Sequence, residues 1–115
     1  MAKKHKIILM SDIHYRCADY FGRTQEETAE LLCEDLAKEY AKYNITANAI
    51  CPAAVATDML NDMVPEVLAE RLKQFLRNRA AKPEEIASVI TFLAGDDSSF
   101  VNGEKIIVTD GRMCN

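Results

Sequence analysis

Residues 45–59 read ITANAICPAAVATDM, and this stretch decides the fold. Its first part, ITANAIC at 45–51, is an apolar run carrying β-branched Ile45, Thr46 and Ile50. That pattern predicts a strand. Pro52 ends the strand, because proline has no N–H to give to a ladder. Residues 58–63, DMLNDM, then read as a short helical turn.

Upstream, residues 6–12, KIILMSD, form a short continuous apolar run ending in a polar pair, which predicts a strand buried on both faces, as in a parallel sheet. Residues 13–23 are aromatic and irregular, with Gly22 near their end, and read as a loop. Thr24 and Glu27 have the T-x-x-E spacing of a capping box, in which each side chain satisfies a free backbone N–H. The helix they open should bury Ala29, Leu32, Cys33, Leu36 and Tyr40, run to about Tyr43 and stop at Asn44. Strand, helix and strand make a β-α-β unit with parallel strands and a right-handed crossover.

Downstream, Pro65 suits the first position of a helix whose apolar face is Val67, Leu68, Leu72, Phe75 and Leu76. Residues 77–82, RNRAAK, are a polar connector. Pro83 opens another helix, with Glu84 and Glu85 favourable in its first turn, a stripe of Ile86, Val89, Ile90 and Leu93, and Gly95 at its end. Residues 96–102 read as a loop, 104–110 (EKIIVTD) as the last strand, and Gly111 ends it. The expected fold is one α/β domain, a truncated Rossmann-like unit. Its three-stranded parallel sheet has the order 6–12, 45–51, 104–110, with flanking helices.

At 115 residues, 49% apolar and 28% charged, the chain has the composition of one globular domain. A net charge of −4 gives no support for nucleic-acid or anionic-membrane binding. Lys3, Lys4 and Lys6 are the one basic run and read as a solubilising tail. No segment is long enough to span a bilayer, and the apolar run ILM is too short for a secretory core. The four cysteines, at 17, 33, 51 and 114, have no C-x-x-C spacing. A cytoplasmic chain with free thiols follows as the expectation.

Three segments carry a resemblance: LAKEYAKYNITANAICP, VATDM, and KPEEIASVITFLAGDDSSFVNGEKIIVTDG. Over about residues 36–111 they resemble the C-terminal part of the short-chain dehydrogenase/reductase family. The resemblance implies the end of the helix that carries the family's catalytic tyrosine and lysine, the next strand, the substrate-side helices and the last strand. Over about residues 4–36, KIILMSDIHY resembles the opening strand of calcineurin-like metallophosphoesterases, whose D-x-H metal motif would be Asp12 and His14. Together these imply a chimera, residues 1–36 joined to 37–115, with its junction near 34–39 inside a helix.

Chemistry tests both resemblances. A nicotinamide enzyme of this family needs a Gly-rich turn where backbone approaches the pyrophosphate at a helix N-terminus. The four glycines, at 22, 95, 103 and 111, build no such turn. Tyr15, Tyr20, Tyr40 and Tyr43 are followed four residues later by Asp19, Thr24, Asn44 and Ala47, so no Y-x-x-x-K exists, and Ser11 has no assignable role. The family's P-G-x-[IV]-x-T loop, which lies against the nicotinamide, maps onto Pro52, Val55 and Thr57, with Ala53 at the glycine. The rival reading of these residues is a plain strand-to-helix corner. Asp12 and His14, with Cys17 and Asp19, offer a divalent metal few ligands, since G-D-x-x-D and G-N-H-[DE] are missing.

The sequence therefore predicts no autonomous catalysis and no obligatory cofactor, with NAD(P) or a divalent metal as alternatives. The expected property is self-association, as a homodimer without nucleic acid or membrane, because outer strands expose unpaired edges. The resemblance adds that the last strand and the helix at 83–94 take part in subunit packing. Two alternatives are an oxidoreductase fragment that needs a complementing chain, and a phosphoesterase remnant.

Overall fold

The computed structural model describes residues 5–10 and 25–111. Asp12, His14, Cys17, Asp19, the expected loop at 13–23 and the Thr24 cap lie outside the described residues, as does Cys114.

β1 (His5–Met10) leads to α1 (Gln25–Tyr40), a 3-10 turn (Ala41–Tyr43) and β2 (Ile45–Pro52). Then come α2 (Asp58–Asn61), α3 (Pro65–Leu72), α4 (Pro83–Ala94), a second 3-10 turn (Asp96–Ser98) and β3 (Lys105–Val108). The sheet is parallel in the order β1-β2-β3, as expected. Ile7 sits beside Ala47, and Ile50 beside Ile106. β2 is central and almost wholly buried, which explains its unbroken apolar run.

Helices cover both faces. Odd-numbered Ala47 and Ala49 of β2 meet Cys33 and Ala37 of α1, with Ile7, Ala29 and Leu36 around them. Small residues on both sides let helix and strand approach closely. α4 contacts β1 and β2 on the opposite face, toward which Asn48 and Ile50 alternate. Leu93 of α4 and Ile50 are fully buried. The stripe expected on α1 is rotated: Leu32 is 48% exposed, and Ala37 takes the buried place. The helix turns its smallest side chains to the sheet, which leaves the bulkier leucine outside.

Element ends follow local chemistry. Asn44 adopts the left-handed conformation (φ 60°) and closes the 3-10 turn with its N–H on Ala41 O, as an Asn does readily. Pro83 occupies the first turn of α4, and Glu85 reaches back to accept the Lys82 N–H at 2.8 Å. Gly95 ends α4 in extended backbone (φ −89°) rather than the left-handed form. Lys6 supplies the satisfaction instead: its ammonium donates to Gly95 O and to Ser98 Oγ, both at 2.6 Å. Lys6 is thus a buttress between β1 and the C-terminal, electronegative end of α4. The expectation of a solubilising tail fails for this residue, because its strand position aims it at α4.

Two further corrections concern lengths. α3 stops at Leu72, so Val67 and Leu76 are exposed while Phe75 is buried from the turn that follows. β3 ends at Val108, because Asp110 turns the chain away with φ 48°.

Candidate functional site

In a parallel sheet, ligand sites form outside the carboxyl ends of the strands. Here those ends are the corner after β2 and the turn after β3. Pro52 closes β2 beside Val108, buried. Ala53 donates its N–H to Val108 O at 3.1 Å, which extends the ladder one residue past the proline. Val55 makes an isolated parallel bridge to Ala81. The Ala81 N–H donates to Ala54 O (2.9 Å), and Ala81 O accepts the Ala56 N–H (2.8 Å). Thr57 is the exposed N-cap of α2, its N–H on Val55 O at 2.8 Å and its hydroxyl in no capping bond.

The three mapped residues therefore share one corner, with distinct duties. Pro52 and Val55 are held by the sheet and by the strand-like Ala81, and Thr57 starts a helix. A dinucleotide needs more than this. The corner's N–H groups at 53, 56 and 57 and its carbonyls at 54 and 55 are already bonded internally. Ala53, where the family has glycine, is 4% exposed, with its methyl in the core. The sequence has no Gly-rich turn of the kind that brings backbone to a pyrophosphate at a helix N-terminus.

Beside the corner is a cavity of about 230 Å³ that sequence reading missed. Ala53, Ala54, Phe75, Ala81 and Val108 give it apolar walls. Arg77, Arg79, Glu85, Thr109 and Asp110 give it a polar rim. The connector RNRAAK carries both arginines, and nothing in its composition distinguishes a rim from a solvated turn. Arg79 and Glu85 form a two-pronged ion pair, both contacts at 2.8 Å, between half-exposed side chains. The Arg79 guanidinium, with the Lys82 N–H, pulls the Glu85 carboxyl down to about 2, and Glu85 in turn raises Arg79. Asp110 accepts the Arg77 N–H on Oδ2 at 2.8 Å and faces Arg77 Nε across 3.3 Å on Oδ1. The Leu76 N–H donates to Asp110 O at 3.2 Å, so the turn after β3 is stitched to the connector.

Among the described residues no group of three or more His, Cys, Asp or Glu side chains is placed to hold a metal. The Asp12 and His14 pair lies outside them. Cys33 and Cys51 are buried thiols. Burial, then the neighbouring Glu34 charge, pushes the Cys33 thiol up to about 11, and its Sγ donates to Ala47 O at 2.9 Å. It is a core residue and a poor nucleophile. No helix among the described residues is long and apolar enough to cross a membrane.

Residues 26–112 match the family described as Enoyl-(Acyl carrier protein) reductase. The chain is 40% identical over 82 residues to an acetoacetyl-CoA reductase of Rhizobium meliloti (strain 1021), covering 70% of this chain and 34% of that one. It is 38% identical over 84 residues to a meso-2,3-butanediol dehydrogenase of Serratia marcescens, covering 73% and 34%. The crystal structure of a 3-oxoacyl-[acyl-carrier protein] reductase from Brucella melitensis superposes with a TM-score of 0.81 at 29% identity. That superposition covers 92% of this chain and 41% of the other. The chain thus spans about a third of the length of the curated relatives it matches. The family match begins at residue 26, so α1 belongs to it almost entirely.

Proposed function

The chain belongs to the short-chain dehydrogenase/reductase family, and we propose that it is a non-catalytic α/β module of that family whose biochemical property is self-association. The observation that carries this is the sheet itself: β1 and β3 each pair on one side only among the described residues. β3 is short, but its Ile107 is 46% exposed, and Phe92 on the outer side of α4 is 44% exposed. An open edge with apolar side chains favours pairing with another chain. The absence of Y-x-x-x-K and of a Gly-rich turn from the sequence supports the non-catalytic half of the reading. Light scattering across a concentration series tests the other half. A mass of twice 12.9 kDa that Ile107→Lys returns to monomer is expected; a compact monomer at every concentration overturns the proposal.

A second reading has one observation in its favour. Thr57 keeps its hydroxyl outside any capping bond at the carboxyl end of the sheet, where the family's loop meets nicotinamide. On this reading the chain is half of an NAD(P)-dependent oxidoreductase and needs a complementing chain for the phosphates. Calorimetric titration with NADH and NADPH tests it, and no heat with either counts against binding by this chain alone. The phosphoesterase-remnant alternative would require manganese-dependent aryl phosphate hydrolysis that Asp12→Ala abolishes, and identical background rates for the two proteins count against it.

A further inference from the structure

We infer that the cavity between the β2 corner, the β3 turn and the 77–82 connector is a binding site for a small monocarboxylate with a short apolar body. The inference goes beyond self-association and does not depend on it.

Its basis is how the rim spends its charges. Two arginines face two carboxylates, so the rim is neutral in sum. The pairs are unequal, however. Arg79 gives both terminal nitrogens to Glu85 and a further bond to Ala80 O at 3.1 Å. Glu85 also accepts the Lys82 N–H. That pair is saturated and closes the connector onto the start of α4. Arg77 Nε lies 3.3 Å from Asp110 Oδ1, and the two terminal nitrogens of Arg77 donate no hydrogen bond among the described residues. Its side chain is 70% exposed.

Asp110 is held for this task. It adopts φ 48°, a conformation a non-glycine residue enters at a cost, though aspartate less than most. The bonds from the Leu76 and Arg77 N–H groups fix it there. The carboxylate thereby orients Nε and leaves the guanidinium's fork open at the cavity mouth. A fork of two N–H donors matches a carboxylate or a phosphate.

The walls choose between those. Ala53, Ala54, Phe75 and Val108 offer an apolar surface below the fork. A bare phosphate leaves that surface uncovered, whereas an aliphatic acid covers it. The volume, about 230 Å³, is below the span of drug-sized pockets, which begin near roughly 300 Å³, so the body is a few carbons long.

The experiment is an amide-resolved NMR titration of the whole chain with hexanoate, hexanol and inorganic phosphate. The inference expects saturable shifts at Ala53, Ala54, Arg77 and Val108 with hexanoate, and binding at least about tenfold weaker for the other two. Arg77→Gln, an exposed change, should weaken hexanoate about tenfold and leave hexanol unchanged. Ala81→Leu should block hexanoate by filling the cavity with the fork intact, its fold checked by the dispersion of the same spectrum. Equal affinity for phosphate and hexanoate overturns the role of the walls. Equal affinity for hexanol and hexanoate, or no effect of Arg77→Gln, overturns the role of the fork. No saturable shift at millimolar hexanoate overturns the site. None of these outcomes depends on oligomeric mass, so failure here is distinct from failure of the self-association proposal.

Discussion

Asn48 is where one substitution should tell most about this fold. It is 1% exposed on the central strand, and both ends of its amide are used. Nδ2 donates to Val101 O at 3.0 Å, and Oδ1 accepts the Glu104 N–H at 3.1 Å. It thus clamps the loop that delivers β3 to the sheet. Asn48→Ala removes both bonds and leaves two backbone groups unpaired. Each orphaned group costs about 1–3 kcal/mol. Both bonds are only partly buried, so water can reach the freed carbonyl and N–H. That puts the sum near the bottom of the range, about 2–3 kcal/mol, a large share of the roughly 5–15 kcal/mol a domain holds. Urea unfolding followed by circular dichroism should show the midpoint fall with an unchanged slope. Thermal unfolding should drop by about 8–18 °C, at roughly 4–6 °C per kcal/mol for this size. Hydrogen exchange should show the Glu104 amide losing protection before the amides of β2 and β3. Asn48→Asp separates clamp from packing. At pH 7 its anion faces the Val101 carbonyl, and below about pH 4 the protonated acid again donates, so stability should partly return. A loss under about 0.5 kcal/mol for Asn48→Ala, within the range of ordinary surface changes, refutes the clamp. So does a Glu104 amide that stays protected.

Three further outcomes rest on other side chains and on one glycine. Glu85 has its carboxyl held at about 2 in the fold against 4.5 ordinarily, so its contribution is complete above 4.5 and is lost as pH falls toward 2; Glu85→Gln should be less stable than the parent near neutral pH, and the two acid-unfolding curves should converge toward pH 2. Cys33, raised to about 11 from 9.0, favours the fold while it stays a thiol, so stability should decline between 9 and 11, and peptide-mapped alkylation at pH 8 should leave Cys33 unlabelled in the native protein. Gly103 has φ 74° with the position of an added Cβ 3.4 Å from Ala37 Cβ, an ordinary contact, so Gly103→Ala should cost about 1–2 kcal/mol in chemical denaturation from backbone conformation alone.

The sheet was legible because its signals are local. Apolar runs at 6–12, 45–51 and 104–110, each followed by a breaker, fixed strand order once a helix separated the first two. Pro83 and Gly95 bounded α4 correctly. What failed was set by packing. The face of α1 centres on Cys33 and Ala37, because the central strand offers Ala47 and Ala49 there, and no helical wheel weighs a partner's size. Of the site, Pro52, Val55 and Thr57 lie together at the corner after β2, where the strand's end and the start of α2 are local signals. The cavity beside them escaped notice because its polar rim joins residues more than thirty positions apart, such as Arg77 and Asp110. Lys6 was misread for the same reason: its partners are 89 and 92 residues away.

That last distance has a consequence for biosynthesis. At roughly 5–20 residues per second, a ribosome needs about 5–18 seconds after making Lys6 to supply Ser98. Through that interval the nascent ammonium has only water for a partner, and β1 can lie against β2 with its far side bare. The last brace of the first strand is therefore set late, after both β2 and α4 have been translated.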